Sequence, residues 1–419
     1  MIRFRKDDGS DYPEWEQKAF GDIFTMHQTN TFSRDQLNNE LGDVQNIHYG
    51  DILVKFGSVI DCNMDKLPFV NEDVPIKKFI NESYVRDGDI IVADTAEDYT
   101  AGKVSEVQNI GERKVLSGLH TMLCRPQKEF ASRYLGYYLN SEQYHKQVIR
   151  LLVGTKVYSI NKKAITDTIL KYPCLEEQQK IADFLSSVDD VIAASEQEVA
   201  TLEEQKKGVM QKIFSQEVRF KADDGLDYPE WEENKLGNYI SLQGGYAFKS
   251  DMFVDNGIPI IRISNINNGI IDIKNDIAYY EEIDIDDRFI VTNGDLLIAM
   301  SGATTGKTGI YKEEQKSYLN QRVGNFVLNC DSLVYSFLYH WVNTETFSKQ
   351  LRTRLAAGAQ PNISPSDIES MKILVPQSLE EQQKIADFLS NFDAAIDFAK
   401  QELEQWKELK KGLLQQLFE

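Results

Sequence analysis

Residues Leu175 to Ser186 read LEEQQKIADFLS, and the same string returns letter for letter at Leu379 to Ser390. Downstream the match loosens: Lys206-Lys207-Gly208 is answered by Lys410-Lys411-Gly412, and Phe214 by Phe418. Upstream, IRFRKDDGSDYPEWE at Ile2–Glu16 is answered by VRFKADDGLDYPEWE at Val218–Glu232. The repeating unit is about half of the 419 residues, far longer than a solenoid repeat, so the chain is an internal duplication. Residues 17–174 and 233–378, held between the repeated blocks, share only turn-like landmarks. One is Asp87-Gly88-Asp89-Ile90-Ile91 against Asn293-Gly294-Asp295-Leu296-Leu297. A duplicated frame with two unlike inserts reads as two different recognition modules. Placing Leu417-Phe418-Glu419 before Met1-Ile2-Arg3-Phe4 nearly regenerates the internal junction Ile213 to Phe220, so the order is quasi-circular and the termini are expected to approach.

Glu176 to Phe214 contains no proline and one glycine. Ile181, Val188, Leu202 and Val209 fall on one seven-residue ladder, and Leu185, Ile192, Val199 and Ile213 on a second, which Lys206 interrupts. The second copy places Ile385, Phe392, Ala399, Trp406 and Leu413 beside Leu389, Ile396, Leu403 and Leu417. Alternating spacings of four and three are the pattern of a coiled coil. Ser378-Leu379-Glu380-Glu381 predicts a capping box, whereas Cys174 holds that place in the first copy. Such a helix would be roughly 58 Å long at about 1.5 Å per residue. Its nearest partner is the other copy, antiparallel, which would relate the inserts by a pseudo-twofold axis. The alternative is that each helix folds against its own insert. The predicted organisation is an insert module at 1–174, a helix at 175–217, a second module at 218–378 and a helix at 379–419. In class it is α+β: two α/β modules and two long antiparallel coiled-coil helices.

The chain carries 46 Lys and Arg against 66 Asp and Glu, a net charge of −20. The two helical stretches hold half of that excess, so they suit protein docking or solvent better than DNA. No apolar run approaches the ~20 residues that span a bilayer. The opening residues lack the apolar stretch of a signal peptide. Four separated cysteines without a CxxC pair suggest neither a zinc site nor a disulfide framework, and a cytoplasmic location is expected.

Short β-like runs punctuate both inserts: Ile52-Leu53-Val54, Ile90-Ile91-Val92, Ile258-Pro259-Ile260-Ile261 and Leu296-Leu297-Ile298. Cations gather at matching places. Lys146, Arg150, Lys156, Lys162, Lys163 and Lys171 face Asp167 alone, with Asn161 among them. In the second insert Lys349, Arg352 and Arg354 precede Gly358-Ala359-Gln360-Pro361-Asn362. Phosphate contact needs cations on loops or helix ends, and base readout needs amides and guanidiniums. The DNA-binding candidates are therefore Arg150, Lys156, Asn161, Lys162 and Lys163 in the first insert. In the second they are Arg352, Arg354, Gln360 and Asn362, joined by Lys307, Gln321 and Arg322. For any one of them a solvated surface role is the competing reading. Gly306-Lys307-Thr308 ends like a phosphate-binding loop, but Ser301 stands where that motif requires glycine. The five histidines form no ligand pair, Asp94 and Asp98 lack a nuclease-like Glu-x-Lys companion, and no methyl-donor motif is present. A standalone methyltransferase and a DNA-free coiled-coil scaffold remain the alternatives. The missing methyl-donor motif speaks against the first, and the basic inserts against the second.

The doubled DDGxDYPEWE block, the variable region of roughly 150 residues, LEEQQKIADFLS and the KKG-containing helix together resemble the DNA specificity subunit of type I restriction–modification systems. Gly244-Gly245-Tyr246-Ala247-Phe248-Lys249-Ser250 and Gly257 to Arg262 add to that resemblance; the first insert departs from it, with Met26-His27-Gln28-Thr29-Asn30 instead. The resemblance implies a noncatalytic subunit whose two target recognition domains each read one half of a bipartite, asymmetric site on double-stranded DNA. It implies that the helices set the spacer and dock two modification (methyltransferase) subunits through positions such as Ile181, Leu185, Val188, Ile192, Leu202, Ile385, Leu389, Phe392, Ile396 and Trp406. Restriction subunits join the assembly, no membrane is involved, and no cofactor is expected here. S-adenosylmethionine, ATP and magnesium belong to the partners.

Overall fold

The computed structural model describes residues 2–267, 269–356 and 362–419. The chain divides into two compact units, 1–197 with 400–419, and 198–399. Each is mixed α/β, and each takes part of both long helices, Leu175–Phe214 and Leu379–Phe418.

In the first unit a five-stranded sheet runs Phe24–His27, Thr121–Pro126, Ile90–Ala93, Val104–Gln108, Val59–Asp61. All of its pairings are antiparallel except the last, between Val59–Asp61 and Val104–Gln108. Every residue of Ile90–Ala93 is buried, as a central strand of apolar and β-branched residues should be. A four-stranded sheet beside it contains the parallel pair Val115–Ser117 and Gln45–Ile47. The second unit repeats the plan. Its larger sheet includes Ile240–Gly244, Val323–Leu328, Leu296–Ala299 and Thr308–Ile310, and its smaller one the parallel pair Ile258–Ile261 and Ser317–Leu319. The run Ile52-Leu53-Val54 departs from the strand expectation and ends the helix Tyr49–Val54. His48 starts that helix by accepting the Gly50 N–H, Ile52 is buried, and Val54 is 89% exposed, which suits one helical face and not a core strand.

The unlike inserts share one hydrogen-bond frame. In the first unit Ala93 N–H donates to Lys103 O (2.9 Å), Asp94 N–H to His120 O (3.0 Å) and Ile160 N–H to Asp94 O (2.9 Å). In the second, Ala299 N–H donates to Lys307 O, Met300 N–H to Arg322 O and Ile363 N–H to Met300 O, each at 2.9 Å. Gly102 and Gly306 hold the same place in the two frames, at φ +89° and +87°. A Cβ there would collide with Val148 in one unit and Leu351 in the other, so glycine answers both the dihedral and the close approach.

The repeated blocks explain themselves in the same way. The Glu177 side chain is fully buried at the start of its helix and is paired by Arg3 at 2.8 Å; Arg3 also donates to the carbonyls of Tyr12 and Pro13. Arg219 does the same for Glu381, at 3.1 Å, with Tyr228 and Pro229. A buried carboxylate without its cation is costly, so the whole block travels with the helix it docks on. Because Glu381 is used in this way, the expected capping box is only half formed: the Glu381 N–H reaches Ser378 Oγ at 3.4 Å, but its carboxylate faces Arg219 and Trp231.

Helix pairing is antiparallel. In the first unit Lys410 meets Asp189 (2.5 Å) and Lys407 meets Glu196 (3.1 Å); in the second Lys206 meets Asp393 (2.5 Å). Lys206 therefore supplies an ion pair where it breaks the apolar ladder. Ile181 and Leu185 join Leu417, Phe418, Tyr134 and Tyr138 in the first core, and Ile385 and Leu389 join Met210, Ile213 and Phe337 in the second. Burying each of these large side chains contributes about 1.5–3 kcal/mol. Val188 and Ile396 are also buried, whereas Ile192, Leu202, Phe392 and Trp406 are half-buried. The Ile2 N–H donates to Gln416 O at 2.8 Å, which brings the two ends of the sequence together.

Candidate nucleic-acid interface

In the second unit the loop Gly302–Lys307 follows the buried strand Leu296–Ala299, whose end is clasped on both sides. Met300 N–H donates to Arg322 O, and Ile363 N–H to Met300 O. Ser301 forms a bridge with Asn362, and Tyr246 with Asn320. These ties bring Lys307, Gln321, Arg322 and Asn362 to one cradle. Gln321 and Arg322 are exposed. Lys307 is half-buried as a residue, and its exposed ammonium reaches Asn267 Oδ1 at 3.4 Å. Arg262 borders the cradle, paired with Asp276 at 3.2 Å; its Nε and the Ser301 hydroxyl are both buried without a hydrogen-bond partner among the described residues. Arg352 and Arg354 make no hydrogen bond or ion pair with this group among the described residues. Both lie on the helix Glu345–Ala356, where Arg352 pairs with Glu345 and Arg354 donates to Gln350 O and Ser370 Oγ. Gln360 lies outside the described residues.

The same frame in the first unit carries other chemistry. Asp94 Oδ1 accepts the Thr95 hydroxyl at 2.8 Å and stands 3.4 Å from His120 Nδ1. The Tyr49 ring meets His120 edge to face at 5.3 Å, and Tyr99 lies 4.7 Å from Tyr158. Lys103, the counterpart of Lys307, turns inward and donates to Leu53 O and Phe56 O, each at 3.1 Å; burial holds it below the ordinary lysine pKa. Burial, then the Arg34 charge, likewise pulls His48 down. Lys156 is exposed on the loop before Tyr158. Arg150 caps the helix Glu142–Ile149 at its C-terminus. Asn161 caps Lys162–Thr166, its side chain accepting the Ala164 N–H at 2.9 Å, and Lys162 and Lys163 are exposed on the first turn. These residues flank the strand Tyr158–Ser159, which pairs with Thr95–Ala96 beside Asp94.

Sequence reading missed His120, Thr95, Tyr49 and Tyr158, and weighed Asp94 only as a nuclease acid. The one available signal was the shared Gly-Asp turn at Gly88 and Gly294, which aligns the strands that follow it. Among the described residues no cluster of three or more His, Cys, Asp or Glu could hold a metal ion, and no helix is long and apolar enough to cross a membrane.

The chain matches the family described as the type I restriction modification DNA specificity domain over residues 12–204 and again over 228–408. It is 28% identical over 393 residues to the type I restriction enzyme MjaVIII specificity subunit of Methanocaldococcus jannaschii, covering 86% of this chain and 90% of that one. A second relative from that organism, the putative MjaX specificity subunit, is 26% identical over 98% of this chain and 94% of its own. Among solved structures, the type I restriction–modification S subunit from M. genitalium shares the fold with a TM-score of 0.57 at 16% identity, over 100% of this chain and 99% of that one. Two matched specificity domains, each on its own copy of one backbone frame, place this chain in the type I restriction–modification DNA specificity family, the sequence-reading subunits of those systems.

Proposed function

We propose that each cradle enters the major groove and reads one half of a bipartite, asymmetric site on double-stranded DNA, while the bases between the halves are spanned unread. The observation that carries this reading is that one hydrogen-bond frame presents two different side-chain sets, Arg322, Lys307 and Asn362 in one unit and His120, Asp94 and Thr95 in the other. Major-groove edges distinguish all four base pairs, so unlike sets on a common frame give unlike half-sites. Exposed Lys156, Lys162 and Lys163 would take phosphates. The long helices are the proposed spacer element and the docking surface for two modification subunits, to which they offer carboxylates and the exposed apolar Phe398 and Leu409. Restriction subunits would complete the complex in the cytoplasm, with S-adenosylmethionine, ATP and magnesium held by those partners.

Exchanging residues 17–174 for another recognition domain, in the full chain with its modification subunits, tests the reading by mapping methylated genomic sites. One half of the motif should change and the other persist. A change in both halves would refute independent readers.

A further inference from the structure

One turn keeps its backbone between the two units and changes its chemistry. Thr121 is paired with Ala93, and Val323 with Ala299, so the residues just before them, His120 and Arg322, are delivered to the same place by the same ladder. Each lends its carbonyl to the strand end beside it, Asp94 or Met300. Arg322 is exposed, and its guanidinium makes no hydrogen bond or ion pair among the described residues. No carboxylate occurs in Met300–Lys307 or Asn320–Arg322, and the Ser301 hydroxyl beside them is buried without a partner among the described residues. His120, at φ +52° and about half exposed, faces Asp94 instead.

A planar, unpaired guanidinium on a rigid turn matches the paired acceptors O6 and N7 of guanine. A carboxylate steadied by histidine and threonine accepts from an exocyclic amine, the edge that cytosine or adenine presents. We propose that this turn residue specifies the base in each unit. Arg322 reads a guanine in one half-site; His120, with the Asp94 carboxylate, reads a base bearing an exocyclic amine in the other. The proposal rests on the bipartite reading above.

The test uses the full chain with its modification subunits and maps methylated positions in genomic DNA. Arg322→Gln should lower discrimination for guanine at one position of one half-site roughly 10- to 100-fold, with the other half unchanged as an internal control for folding. His120→Ala should relax one position of the opposite half, and the base seen there in the unsubstituted chain separates cytosine from adenine. An unaltered motif in either variant, or changes spread over both halves, would overturn the proposal. If Arg322→Gln abolished methylation, Arg322→His would decide: methylation at a motif altered at one position supports the assignment, and continued absence refutes it. An unsubstituted chain whose motif lacks two parts would overturn the bipartite reading itself, and this proposal with it.

Discussion

Glu106 is the residue whose placement no local pattern announces. It stands on the strand Val104–Gln108, 2% exposed, and accepts the N–H groups of Arg133 (2.7 Å) and Gly136 (2.9 Å) and the Gln108 amide (2.6 Å). Burial outweighs these donors and raises its pKa to about 7. The native state therefore keeps a proton that the unfolded chain gives up near pH 4.5, and stability falls as pH rises between those two values. The difference is worth about 3 kcal/mol at most. Thermal unfolding should show a lower midpoint at pH 8 than at pH 5, with a flatter profile in Glu106→Gln; an equal slope in that variant would assign the dependence elsewhere. Arg322 and His120 belong to this scale as well, since each is legible as a cation or a histidine in the sequence, and only the ladder beside each shows that they occupy one position.

Among elements, the short helix Lys162–Thr166 gives the expected DNA-binding residues Asn161, Lys162 and Lys163 different tasks. Its lysines are exposed, but the Asn161 side chain is committed to the cap, which removes its amide oxygen from base readout. Lys162 and Lys163 are thus expected to contact phosphate without reading sequence. Replacing both with alanine should weaken binding uniformly across DNA sequences and reduce the slope of log affinity against log salt by about 0.9 per lost contact. A salt titration of the assembled complex measures this, and an unchanged slope would take both lysines off the backbone. The long helices were readable from their heptads because an apolar seam must recur at that spacing to stay buried. Their polar interruptions were not. Lys206 breaks a ladder in one dimension and pairs with Asp393 in three, as Lys410 pairs with Asp189 in the other unit. A polar pair on an apolar seam disfavours any shifted register, which would leave both charges unpaired.

For the molecule as a whole, the spacer proposal makes the helices' length the quantity to vary. One added heptad in each should lengthen the unread spacer by about three base pairs, from ~10 Å of helix against ~3.4 Å per base pair. Methylated-site mapping with an unchanged spacer would refute that role. What the sequence by itself determined was the duplication and the two long helices, and it carried the resemblance to the family, because repeated strings and heptad spacing are local and survive being read in one dimension. Which surface each helix pairs with was settled by the ion pairs of the folded chain. The kinship of the two inserts was decided by tertiary structure alone. Their strands are joined by backbone hydrogen bonds, which any side chain permits, so Asp94 and Met300, or His120 and Arg322, can hold one place in the frame without resembling each other. Tertiary structure also separated Lys307, which stays at the cradle, from Lys103, which the same frame turns inward to buried carbonyls.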